Sequence, residues 1–124
     1  MRKKVHIQTA TIENSTLTLQ PTEPVSLNDM VPSGQMIVDS DELAFVYLVK
    51  EQNEYTYIYL HETIWSQLKE AMEQQLQVKI VSNHEEIVLE NAVEELQYLV
   101  ANIEGNGNYG EKMVEKVEHI FLGK

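Results

Sequence analysis

The sequence predicts an α+β fold: a mostly antiparallel sheet, built from a meander and a later hairpin, covered on one face by an amphipathic helix and a C-terminal helical pair. Up to about His61 the apolar residues alternate with polar ones. Beyond it they recur at helical spacing, return briefly to alternation, and then stay helical to the end. A Gly/Asn run, Ile103 to Glu111, holds three of the five glycines and divides that last helical stretch.

Val5, Ile7, Thr9 and Thr11 alternate, Asn14-Ser15 punctuates, and Thr16 to Leu19 resumes the β pattern, which predicts a hairpin. Pro21, Pro24 and Pro32, with Asn28, Asp29, Ser33 and Gly34, predict a loop. Gln35 to Val38, Leu43 to Val49 and Tyr55 to Leu60 then read as the three strands of a meander, joined by Asp39-Ser40-Asp41-Glu42 and Glu51-Gln52-Asn53-Glu54. Ile64, Leu68, Ala71, Met72 and Gln75 fall at helical spacing with Trp65 flanking them, so one amphipathic helix follows His61. Gln77 to Val81 and Glu86 to Leu89 make the later hairpin, expected to join the same sheet. Val93, Leu96, Tyr98, Leu99, Val100 and Ile103 form the apolar side of the next helix, which Gly105 is placed to end. Asn108 is expected to cap the final helix, with Glu111 three residues on, and Met113, Val114, Val117, Ile120 and Phe121 form its stripe. Helices joined this closely pack as a hairpin or elbow. No repeat or low-complexity tract divides the 124 residues, so residues 1–124 are read as one domain.

Charge excludes whole classes of partner. Nine Lys and Arg against twenty Asp and Glu give a formal −11, whose field repels nucleic-acid phosphates and anionic membranes. Arg2, Lys3 and Lys4 are the one cluster of cations, and their place at the terminus predicts fraying. With no cysteine there is no disulfide, no thiolate nucleophile and no cysteine-held metal. Polar Gln8, Thr9, Thr11, Glu13 and Asn14 interrupt what a signal peptide's apolar core requires, and no run reaches the ~20 apolar residues of a membrane span. The expectation is a cytoplasmic protein, in which the sequon Asn14-Ser15-Thr16 is chance.

Each candidate site has a plain structural counterpart. Gly105, Asn106, Gly107, Asn108, Tyr109 and Gly110 have the composition of an anion-binding nest, but Glu104 and Glu111 flank them and no P-loop lysine is present, so a helix connector is favoured. If the loop is functional, a protein partner suits it better than a phosphate. Tyr55, Tyr57 and Tyr59 share one strand face, with Thr56, Ile58 and Leu60 on the other. The charge argues against stacked bases, leaving rings beneath a helix or along a subunit contact. Asp39-Ser40-Asp41-Glu42 has carboxylates for a hard cation but lacks the glycine and distal glutamate of a calcium loop, so turn chemistry is favoured. His6, His61, His84 and His119 are scattered, with no i, i+4 pair for zinc, and His61 has no identifiable nucleophile or carboxylate to serve as a general base. Glu90, Glu94, Glu95, Glu104, Glu111, Glu115 and Glu118 outnumber Lys112 and Lys116 on the late helices, which would steer a basic partner.

Glu94 to Val100, followed by Asn102-Ile103-Glu104-Gly105-Asn106-Gly107-Asn108-Tyr109-Gly110-Glu111, resembles the signature of the YjbL-like family of uncharacterised proteins from bacilli. Val38-Asp39-Ser40-Asp41 with Phe45, and Trp65 with Glu70-Ala71-Met72, are similar to it too, so the resemblance runs from about Gln35 onward. It implies a cytosolic protein of a Gram-positive bacillus and brings no activity, substrate, cofactor or site residue with it. The sequence is therefore read as a non-enzymatic protein-interaction or regulatory module, with a protein partner, a homodimer as one form of it, and no catalytic residue, cofactor or metal. The alternative is a small-molecule binder or small hydrolase with a pocket between sheet and helical pair, drawing on His61, Tyr57, Asn106, Asn108 and Tyr109.

Overall fold

The computed structural model describes residues 3–124, so Arg2 of the cation cluster lies outside the described residues. Seven strands form one sheet in the order β3-β4-β5-β1-β2-β6-β7. β1 (Lys3–Glu13) and β2 (Thr16–Pro21) are the expected hairpin, turning at Asn14 and Ser15 with φ of 52° and 60°. Both residues at positive φ give a turn whose twist matches the flanking strands. β3 (Met30–Asp39), β4 (Ala44–Glu51) and β5 (Glu54–His61) form the antiparallel meander, and β6 (Gln77–Ser82) with β7 (Glu85–Val88) the later hairpin.

The sheet is mixed, because the first hairpin stands between these two units and runs parallel to its neighbour on each side. β1 pairs with β5 from Lys3–Thr56 to Ile7–Leu60, and β2 pairs with β6 from Thr16–Gln77 to Leu19–Ile80. Lys3 and Lys4 are accordingly held in a ladder rather than frayed. Pro32, Ser33 and Gly34, expected in a loop, belong to β3. An edge strand tolerates proline because one side of its backbone needs no ladder partner, and here the register slips between Pro32 and Gln35.

A 3-10 turn (Glu62–Ile64) leads into α1 (Trp65–Gln74), and α2 (Ala92–Ile103) and α3 (Glu111–Leu122) close the chain. The buried residues of all three helices share one core with the inward strand positions, among them Val5, Ile7, Leu17, Leu19, Phe45, Tyr47, Ile58, Leu60 and Ile80. There Trp65, Phe45 and Phe121 form a three-ring cluster, Trp65 tilted against the other two at centroid distances of 5.1 and 5.7 Å, and the indole N–H donates to the Leu60 carbonyl at 3.1 Å. The β1 ladder crosses a register shift between Ile7 and Thr9, so its inward residues are Val5 and Ile7 before it and Ala10 and Ile12 after it.

Tyr47 and α2 secure the β3 irregularity. The buried Tyr47 hydroxyl donates to the Glu90 carbonyl at 2.7 Å and accepts from the Gly34 N–H at 3.1 Å. Asn91 donates to the Gly34 carbonyl, and the Glu95 carboxylate accepts from the Met36 N–H. Burial, partly offset by the Gly34 bond, pushes the Tyr47 hydroxyl above the usual tyrosine range.

Candidate functional face of the sheet

The other side of the sheet carries a second, smaller group of buried residues: Ala44, Val46 and Tyr59, with Leu48 and Tyr57 packed against them. None comes from a helix, so the Tyr strand does not lie beneath one; the β5 alternation sends Ile58 and Leu60 to the helical core and the three rings to the helix-free side. The rings become more buried along the strand: Tyr55 is 45% exposed, Tyr57 intermediate and Tyr59 only 7% exposed. Cross-strand register places Ile37 beside Val46 and Lys50 beside Tyr55, and Ile37 is 45% exposed.

This side differs in charge from the rest of the molecule. Among the described strand positions that share it, Lys4, Lys50 and Lys79 stand against Glu13, Asp39 and Glu86. These charges cancel, and Lys79 and Glu86 form an ion pair at 3.0 Å. The strand positions of this side therefore contribute nothing to the formal −11.

Tyr59 sits at the centre of a polar cluster on this side. Its hydroxyl donates to Asp39 Oδ2 at 2.8 Å, while Asp39 Oδ1 accepts from the Glu42 N–H at 3.1 Å. The Asp39 to Glu42 segment thus closes a turn on its own backbone, as its composition suggested. Lys4 Nζ lies 5.1 Å from the Tyr59 ring centroid, a cation–π distance. His6 and His61 flank the same ring at 5.4 and 5.8 Å, and their own rings meet edge to edge and nearly coplanar, with centroids 5.0 Å apart and 25° between planes. His6 Nδ1 and His61 Nε2 are 2.8 Å apart, a hydrogen bond that requires one nitrogen to carry a proton and the other a lone pair. Burial first, and the neighbouring His6 second, hold the His61 imidazole below its ordinary range, against the opposing pull of Glu42 and Asp39.

The sequence did not pair His6 with His61, because 55 residues separate them. They meet only because β1 lies parallel to β5, with His6 opposite Tyr59 and therefore diagonal to His61. That parallel pairing leaves no local trace in the sequence.

The Gly/Asn loop lies on the helical side. Asn108 does not cap α3: it belongs to a 3-10 turn, Gly107–Tyr109, and its N–H goes to the Asn106 side chain at 3.0 Å. Gly110, at φ 91° and ψ 140°, occupies the cap position instead. Gly105, at φ 66°, carries the chain out of α2, and the Glu118 carboxylate accepts its N–H at 2.7 Å. Gly105, Gly107, Glu111, Val114, Glu115 and Glu118 line an open hollow of about 530 Å³ there, whose three carboxylates oppose an anionic ligand. His61 and Tyr57 face away from α2 and α3, so they do not converge with Asn106, Asn108 and Tyr109. Among the described residues no group of three or more His, Cys, Asp or Glu side chains is placed to hold a metal ion, and no helix is long and apolar enough to cross a membrane.

Residues 5–121 match the model of a family of unknown function, UPF0738. The chain is similar to the UPF0738 protein YjbL of Bacillus subtilis, with 38% identity over 122 residues covering 98% of this chain and 100% of the relative. A UPF0738 protein of Bacillus velezensis is 39% identical and one of Bacillus cytotoxicus 34% identical, each again covering 98% of this chain and all of the relative. No solved structure matches it.

Proposed function

Because the chain belongs to the UPF0738 family, whose function is unknown, we propose its role from geometry: a non-enzymatic protein-interaction or regulatory module that docks through the helix-free face of the sheet. The observation that carries this reading is the contrast between that face, where the described strand charges cancel around Ile37, Leu48, Tyr55 and Tyr57, and a chain of formal charge −11. A neutral, partly apolar, aromatic surface on an acidic protein is where a partner loses least to repulsion and gains most from burial. Seven strands spaced about 4.8 Å apart and roughly 20 Å long offer on the order of 600 Å², close to the ~800 Å² that one partner contributes to an ordinary interface. The partner is a protein, and a second copy meeting the same face is the homodimeric form of this reading. No cofactor or nucleic acid enters it, and the setting is the cytoplasm.

Salt separates this face from the acidic surface of α2 and α3. The test is sedimentation velocity of the purified chain, together with retention of lysate proteins on the tagged chain, each at low and high salt. Docking through the neutral face persists or tightens as salt rises, because screening removes like-charge repulsion. Ile37→Lys, at a half-exposed position, should abolish it, while Glu94→Lys and Glu115→Lys should leave it unchanged. Association that salt and the two glutamate reversals abolish, and that ignores Ile37→Lys, would assign the work to the acidic surface and sink the proposal.

A further inference from the structure

We infer that the His6–His61 pair is a proton-operated latch on the helix-free face: one proton shared between the facing nitrogens ties β1 to the end of β5, a proton added to an outer nitrogen keeps the tie, and a second added proton, which charges both rings, breaks it and charges the face. The effect on docking rests on the function proposed above; the latch itself does not.

The contact is short, direct and specific in its proton count. At 2.8 Å, His6 Nδ1 and His61 Nε2 satisfy each other with a single proton between them. With both imidazoles protonated, two N–H groups confront one another, two cations sit edge to edge, and the bond is lost.

The groups around the pair determine what the second proton meets. From β1, Lys4 adds a cation over Tyr59. From β5, the neutral Tyr59 ring lies against both histidines. From the end of β3 and the following turn, Asp39 and Glu42 favour a charged His61, but both Asp39 oxygens already accept hydrogen bonds, from Tyr59 and from the Glu42 N–H. Past the pair, Glu62 of the 3-10 turn is held by Lys116 at 2.9 Å. No carboxylate is thus hydrogen-bonded to either ring, and partial burial of His61 opposes its charging. The second proton is accommodated by separating the rings.

Position gives that separation a consequence. The β1–β5 ladder runs as far as Ile7–Leu60, and β1 changes register immediately afterwards, so the latch spans the place where regular pairing ends. The Thr63 hydroxyl, which reaches the Gln8 carbonyl at 3.2 Å, is the neighbouring tie. Opening the latch frees this corner of the sheet and adds positive charge to a face whose other described charges cancel. Docking that depends on a neutral face weakens as pH falls through the histidine range.

Imidazole nitrogen-15 spectra of the full chain, followed from about pH 8 to about pH 5, test this directly. At the upper end His6 Nδ1 and His61 Nε2 should share one slowly exchanging proton, which persists while either ring is neutral and disappears once both are charged. His6→Gln should move the His61 midpoint up, since it removes the neighbouring imidazole and leaves only burial to hold the pKa down. Identical His61 titration in wild type and His6→Gln, or no shared proton at the upper end, would overturn the latch. Should His6→Gln fail to fold, hydrogen exchange of the wild type decides: corrected for intrinsic rates, protection at residues 5–8 should fall on acidification more than in β4, and parallel changes would overturn the proposal. Sedimentation at both pH values keeps the two readings apart. Coupled imidazoles with association indifferent to Ile37→Lys would leave the latch standing and remove the docking face. Association that needs Ile37 but ignores pH would keep the face and remove the latch's control of it.

Discussion

Tyr47 is fully buried, yet its hydroxyl is satisfied on both sides, by Glu90 and by Gly34. Tyr47→Phe keeps the ring and removes both bonds, stranding a carbonyl and an N–H beside the β3 irregularity. The expected loss is about 1–3 kcal/mol in urea denaturation, and a loss under about 0.5 kcal/mol would mean that water replaces the hydroxyl. His61 gives the opposite kind of prediction, one of pH rather than packing. Its folded-state pKa lies below the ordinary 6.5, so between the two values the unfolded chain binds the extra proton. Stability from this group is therefore complete above about pH 6.5 and is lost as pH falls below it toward the folded-state pKa. The urea midpoint should drop between about pH 7 and pH 5.5, above the main carboxylate range, and His61→Gln should flatten that slope. An unchanged slope would show that the folded chain tolerates the charge. The sequence exposed both residues unequally. Tyr47 was readable as a core position within an apolar run, but its hydroxyl partners were not, because one lies in an irregular strand segment and the other just before a helix. His61 was visible as a junction residue; its partner was hidden by 55 intervening residues.

The α2–α3 connection separates the roles of its glycines. Gly110 sits at φ 91° and ψ 140°, a region open to glycine and strained for any side chain, and nothing lies within 4 Å of where its Cβ would be. Gly110→Ala should then cost about 1–3 kcal/mol from backbone strain alone. At Gly107 an added Cβ also meets nothing within 4 Å, and φ there is not positive. Gly107→Ala should be neutral or stabilising by up to about 1 kcal/mol, because it restricts the unfolded chain. Thermal melts of the two variants check this, and equal shifts would mean that the loop relaxes around Gly110. Elements with a period of their own were legible: the hairpin at Asn14-Ser15, the meander, and the three helices with their apolar stripes. What was not legible follows one physical rule. The parallel β1–β5 and β2–β6 pairings join segments far apart in sequence, whose alternation looks the same whichever neighbour they take. Pro32 misled for a related reason, since proline excludes a central strand but not an edge, and edge position is a property of the assembled sheet.

For the whole molecule, the formal −11 acts on the fold as well as on partners. Ion pairs offset little of it: Lys3–Glu51, Lys79–Glu86, Lys116–Glu62 and Lys124–Glu104 all involve side chains with substantial exposure, and exposed pairs contribute about 0–1 kcal/mol each. Carboxylates repel one another along α3, where exposed Glu115 lies four residues from Glu111 and three from Glu118 on the same helical surface. Glu115→Lys turns both repulsions into attractions, at the cost of a new repulsion with Lys112, for an expected net gain of about 0.5 kcal/mol at low salt. The melting temperature of the wild type should rise as salt screens the chain's self-repulsion, and the advantage of Glu115→Lys should shrink as it does. Ile37→Lys adds the same positive charge on the neutral face, at a half-exposed position with no run of carboxylates to relieve, and should leave the melt within about 0.5 kcal/mol of wild type. If both lysines stabilise equally, repulsion is a property of total charge and the division into an acidic body and a neutral face has no energetic meaning. If only Glu115→Lys does, the charge is concentrated where the helices are, and the face left neutral is the one on which a partner can settle without opposing the rest of the molecule.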